Sequence, residues 1–169
     1  NALDETYSFS VTADAEGPTV DEQSPAPDAI SARNGFVAFH VKDTLSGVDV
    51  ASMAIRKDGE DITAACAVDD TDPLDVVVRY PAADTVDFGA VSKVEMSVGV
   101  ADNAGNRTLP DPITWEFDVD AVRPVIGNLV PGRDATNVPI DTAISFRLTD
   151  SKSGIDPATL AVSMQIGTG

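Results

Sequence analysis

The sequence predicts an all-β chain, a two-sheet sandwich of about seven strands written once in full and once more in part. Two observations lead there. The heptad "DTLSGVD" at Asp43 to Asp49 returns as "DSKSGID" at Asp150 to Asp156, 107 residues later. The match extends over "FVAFHVKDTLSGVDVASMAI" (Phe36 to Ile55) and "AISFRLTDSKSGIDPATLAV" (Ala143 to Val162). Within it alternate positions stay apolar while those between drift: Val37, Phe39 and Val41 fall on Ile144, Phe146 and Leu148. That period of two marks half-buried strands. Composition agrees, with 11 Pro, 12 Gly and 5% aromatics in 169 residues, a turn-rich chain without helical periodicity.

Upstream, "TYSFSV" (Thr6 to Val11) parallels "TWEFDV" (Thr114 to Val119), and Pro18 and Pro25 parallel Pro124 and Pro131. The boundaries follow. Residues 1–15 read as the last strand of a preceding unit, 16–120 as a complete sandwich, and 121–169 as the first half of the next. With neither an initiator Met nor a signal peptide, the chain reads as a processed or excised piece. Strands are expected near 18–23, 35–42, 52–57, 61–67, 74–80, 92–101 and 113–119. Turn clusters such as "KDGED", "DDTDP" and "DNAGN" punctuate them.

Each short motif has a structural reading. In the heptad, Gly47 and Gly154 supply a backbone conformation that a side chain would oppose. Asp43, Asp150, Ser46 and Ser153 accept backbone N–H groups within the turn, and Asp49 and Asp156 satisfy its far end. The rival reading of these carboxylates is metal coordination. "DNAGN" at Asp102 to Asn106 opens the last hairpin. Trp115, Phe117 and Val119 face the core, which leaves Asp118 and Asp120 outward at the boundary between units. Those two, with Asp102 as a contributor, are the candidate calcium ligands. Two or three solvated carboxylates imply a weak site with Kd of about 10⁻⁴–10⁻³ M. No other cofactor is expected.

Charge and motif content narrow the function. Net charge is −17, from 28 acidic and 11 basic residues, and such a field repels nucleic acid and anionic lipid. No apolar run approaches the roughly 20 residues of a membrane helix, so membrane insertion is not expected. The single cysteine, Cys66, lies among apolar neighbours in "TAACAV" and reads as a packing residue. The single histidine, His40, falls on an outward strand position. Trp115, Tyr7 and Tyr80 could offer faces to sugar rings, but Trp115 and Tyr7 sit at core-facing positions. No GxSxG, HExxH or phosphate-cradling loop is present, so no enzyme activity is expected.

The Pro18…Pro25 opening, the "DTLSGVD" turn, the "VGVADNAGN" strand end and the closing "WEFDVD" together resemble a tandem bacterial immunoglobulin-like repeat of the Big or cadherin-like kind. That resemblance implies an extracellular or cell-surface stalk, adhesin or filament component. Its partners would be neighbouring repeats, other copies of itself or a surface ligand. The alternatives are an accessory or ligand-binding module of a secreted multidomain enzyme, or a viral tail component.

Overall fold

The computed structural model describes residues 8–10 and 12–164. Thirteen strands follow in order: β1 Thr19–Ser24, β2 Ile30–Ala32, β3 Asn34–Gly35, β4 Val37–Lys42, β5 Val48–Lys57, β6 Glu60–Asp61, β7 Ala67–Asp69, β8 Asp75–Tyr80, β9 Val86–Asp87, β10 Lys93–Asp102, β11 Ile113–Asp120, β12 Val125–Val130 and β13 Ser145–Thr149. A four-stranded sheet, β1-β4-β8-β7, packs against a five-stranded one, β2-β11-β10-β5-β6. Two small pairs, β3-β9 and β12-β13, complete the list.

The core lies where the alternation placed it. Val37, Phe39 and Val41 from β4 and Val76 and Val78 from β8 are fully buried. They meet Val94, Met96 and Val98 of β10 and Trp115 and Phe117 of β11. Phe39 sits edge-on to Trp115 with ring centroids 5.4 Å apart, and Phe88 does the same to Phe117 at 5.3 Å. The intervening residues of β4, including His40 and Lys42, face outward, but His40 is less exposed than a bare surface position. Its Nδ1 lies 2.7 Å from Asp75, and its other ring nitrogen faces Glu22 at 3.6 Å.

Three expected elements take a different form. Residues 61–67 are not one strand. Asp61 accepts the Thr63 N–H at 3.0 Å, and this local carboxylate bond folds Thr63–Ala65 into a 3-10 turn between β6 and β7. The strand expected at 52–57 begins earlier, at Val48, and bulges where the Ser52 hydroxyl accepts the Ala101 N–H. Strand β2 was not anticipated; it runs parallel to β11, with Ile30 opposite Asp118. At the N-terminus, Ser8–Ser10 carry no regular structure, while Thr6, Tyr7 and Val11 of the expected strand lie outside the described residues.

The pairing of β12 with β13 reproduces that of β1 with β4. Val20 opposes Val41 and Ile126 opposes Leu148; Asp21 opposes His40 and Gly127 opposes Arg147. In both pairs the register then shifts, resuming at Ser24–Ala38 and at Val130–Ser145.

Candidate functional site

The heptad turn at Asp43–Asp49 is built around one carboxylate oxygen. Asp43 Oδ1 accepts the Leu45 N–H at 3.0 Å and the Gly47 N–H at 2.7 Å. Gly47 has φ +83°, and the backbone it presents is read at once by the last hairpin. Asn103 donates its backbone N–H to the Gly47 carbonyl (2.8 Å) and its side-chain amide to the carbonyls of Ser46 (3.0 Å) and Gly47 (3.1 Å). Two loops more than 50 residues apart are thereby clamped together.

The second loop is organised in the same way. Asp102 Oδ1 accepts the N–H groups of Ala104 (2.9 Å) and Asn106 (2.8 Å), and Oδ2 accepts the Asn106 amide (2.7 Å). Burial of Asp102 opposes its ionisation, but the Asn106 amide and these N–H groups outweigh it and hold the carboxyl below its usual range.

A third carboxylate arrives from the linker. Asp14 Oδ2 accepts the Ser46 N–H at 2.9 Å, and the Asp14 carbonyl accepts from the Asn106 amide. Asp14, Asp43 and Asp102 then each offer an oxygen within 4.8 Å of the others. Asp102 is 2% exposed and Asp43 7% exposed. Among the described ion pairs none involves these three acids. Oxygens this close lie within about twice a calcium–oxygen bond of roughly 2.4 Å, so this trio, at one end of the sandwich, could hold a hard cation.

The expected set of Asp118, Asp120 and Asp102 is not brought together. Strands β10 and β11 are antiparallel, with Lys93 opposite Asp118. Asp102 is therefore separated from that pair by the length of β10, about 30 Å for nine residues. Asp118 is half-buried beside Lys93. Asp120, expected outward, is buried instead, because the chain beyond it folds back over it. Its Oδ2 accepts both the N–H (2.9 Å) and the hydroxyl (2.6 Å) of Ser153 in the second heptad, and its Oδ1 accepts the Val122 N–H (2.9 Å). These bonds, the Ser153 hydroxyl foremost, bring its carboxyl down to about 2.

Asp120 and Asp14 thus play one part. Each sits in a linker four residues before a proline, Pro124 or Pro18, and each accepts the serine N–H of the heptad that follows. Asp150 also copies Asp43: its Oδ1 accepts the N–H groups of Lys152 and Gly154, both at 2.9 Å, and Gly154 has φ +84°. The heptad serines differ from expectation, since they contribute through their backbone N–H, and only Ser153 adds its hydroxyl. Asp14 and Asp43 were missed as partners of Asp102. The available signal was the shift of 106 that carries Pro18 onto Pro124, which also carries Asp14 onto Asp120.

No family model and no curated protein matches the sequence. Solved structures to which the chain shows some similarity include the SrpA adhesin from Streptococcus sanguinis, 16% identical, with TM-score 0.45 over 71% of this chain and 67% of that one. The GspB Siglec domain gives 16% identity and TM-score 0.47 over 68% and 62% of the respective chains. Dimeric latent PorU from Porphyromonas gingivalis gives 16% and 0.49 over 82% of this chain, which spans only 13% of that protein.

Proposed function

We propose that this chain is a non-enzymatic segment of an extracellular, tandem immunoglobulin-like stalk or adhesin, in which the sandwich is a spacer and the linker fixes its direction. One observation carries the reading: the linker carboxylate reaches across to the heptad of the following segment at Asp14–Ser46 and again at Asp120–Ser153. A spacer works by resisting bending, and a linker tied by three hydrogen bonds to a buried carboxylate resists it more than a solvated one. The chemistry of the remaining reactive groups fits a structural part. Burial pushes the Cys66 thiol up to about 11, which makes it a packing group rather than a nucleophile, and His40 is engaged by Asp75.

Small-angle scattering on the whole chain tests this. Asp120→Ala should broaden the distribution of maximum dimensions relative to the wild type without unfolding the sandwich. Equal distributions would remove the linker carboxylate from the account. Acid should act in the same direction with a defined sign. The folded pKa of about 2 lies below the usual carboxylate value of about 3.9, so the contribution of Asp120 is fully present above pH 3.9. It is lost as the pH falls through about 2.

We also propose that the Asp14–Asp43–Asp102 trio takes calcium weakly. Calcium at about 10 mM should then raise Tm by a few degrees through mass action. Asp43→Asn should abolish the rise. A rise of the same size in that variant would exclude the trio.

A further inference from the structure

The outer face of the four-stranded sheet sets the chain's single histidine between two carboxylates. His40 on β4 places Nδ1 2.7 Å from Asp75 Oδ1 on β8, while its Nε2 faces Glu22 Oε2 on β1 at 3.6 Å. A carboxylate only accepts, so the ring proton of neutral His40 resides on Nδ1 and Nε2 keeps a lone pair. That lone pair points at a second acceptor. At 3.6 Å the two atoms stand too far apart for a hydrogen bond, even with a proton on Nε2. A tetrahedral ion bound at about 2.1 Å to each would hold them about 3.4 Å apart, so the gap suits such an ion.

Glu22 reaches the ring through an irregularity in the sheet. Asp21 opposes His40 in the β1–β4 ladder, and the pairing then resumes only at Ser24 and Ala38. Glu22 lies in the skipped stretch at φ +51°, a left-handed conformation that asparagine adopts more readily than glutamate. The β12–β13 pair makes the same irregularity, with Asn128 at φ +52° in the place of Glu22 and Arg147 in the place of His40. The backbone therefore does not demand a glutamate, and the residue is explained by what its carboxylate meets. Charge around the ring also favours a cation. Asp21, Glu22 and Asp75 stand against Lys42, which binds the other oxygen of Glu22, Oε1, and lies 3.3 Å from Asp21.

We propose that His40 Nε2 and Glu22 Oε2 bind a divalent transition ion of the zinc class, with Asp75 as the residue that fixes the imidazole. Histidines that ligate zinc donate their far ring N–H to a carboxylate or carbonyl in this way, which raises the basicity of the ligating nitrogen. Imidazole suits zinc, whereas calcium takes oxygen ligands, so this site differs in chemistry from the Asp14–Asp43–Asp102 trio. Water completes the coordination, and the ion ties β1 to β4 where their ladder is interrupted. The inference rests on neither the stalk reading nor the calcium reading.

Long-range ¹H–¹⁵N correlation spectra of the whole chain test it, because one histidine gives one pair of ring-nitrogen signals. Before zinc is added they should show the Nδ1–H tautomer. Zinc chloride should then move the Nε2 signal saturably, as a single site, and calcium chloride should not. Glu22→Gln should weaken zinc binding at least about tenfold and leave the tautomer unchanged. Four results would each overturn the proposal. They are an Nε2 signal unmoved at about 1 mM zinc, the same movement with calcium, a proton on Nε2 before zinc is added, or equal saturation in Glu22→Gln, the mark of a lone histidine ligand.

Discussion

Phe39→Ala is expected to cost the sandwich about 3–5 kcal/mol, enough to leave many domains of this size unfolded at 37 °C. Phe39 is fully buried at the centre of β4, and its ring meets the edge of Trp115 across the space between the sheets. Truncation removes the buried ring and leaves a cavity walled by both sheets, which close-packed strands cannot collapse to fill. It also removes the aromatic pair, worth roughly 0.5–1.5 kcal/mol beyond buried area. Urea unfolding followed by Trp115 fluorescence reads the loss directly. Phe9→Ala is the control: Phe9 is exposed, so its loss should change stability by less than about 0.5 kcal/mol. A loss below about 1 kcal/mol for Phe39→Ala would mean that the two sheets do not pack as described.

Gly47→Val has the next largest expected effect, about 1–3 kcal/mol from backbone strain alone. At φ +83° a β-branched residue is disfavoured, and the site is also crowded. A Cβ there would stand 3.1 Å from the Pro73 carbonyl oxygen and 3.3 Å from the Asn103 amide. The amide can move only by giving up its bonds to Ser46 and Gly47, so the clamp between the two loops should loosen together with the turn. Gly59→Val, in the same sandwich, is the informative comparison. Its φ of +80° is nearly the same, but no atom of the described residues lies within 4 Å of its Cβ position. The difference in loss between the two variants measures the contact with Asn103 and Pro73, apart from the strain they share. Equal losses would leave strain as the whole effect and the clamp without energetic weight.

What could be read from the sequence was whatever repeats along one strand. The alternation in β4, β10 and β11 placed their buried residues correctly, because a period of two needs no knowledge of the partner strand. Gly47 was legible for a related reason: a glycine held at one place in a repeated turn points to a backbone demand. What could not be read depended on partners distant in sequence. Strand β2 is three residues long and exists only because β11 offers it an edge. The meeting of Asp43 with Asp102 depends on Asn103 reaching the heptad, and no local pattern announces that contact. Asp14 was hidden by register. The shift of 108 that matches "TYSFSV" to "TWEFDV" sets Thr12 against Asp120, and only the shift of 106 at the prolines sets Asp14 there. The alternation in β11 did put Asp118 and Asp120 on one face, outside the core. It gave no sign that the chain beyond Val122 would return and bury Asp120 beneath Ser153.

With the Asp120 carboxylate tying the linker as proposed, the sandwich and the β12–β13 segment turn as one body. Backbone ¹⁵N relaxation on the whole chain tests this. Amides of β4, β10 and β11 and amides of β12 and β13 should fit a single anisotropic tumbling tensor in the wild type. In Asp120→Ala they should need two, with the shorter correlation time for β12 and β13. Two independent tensors already in the wild type would contradict the account.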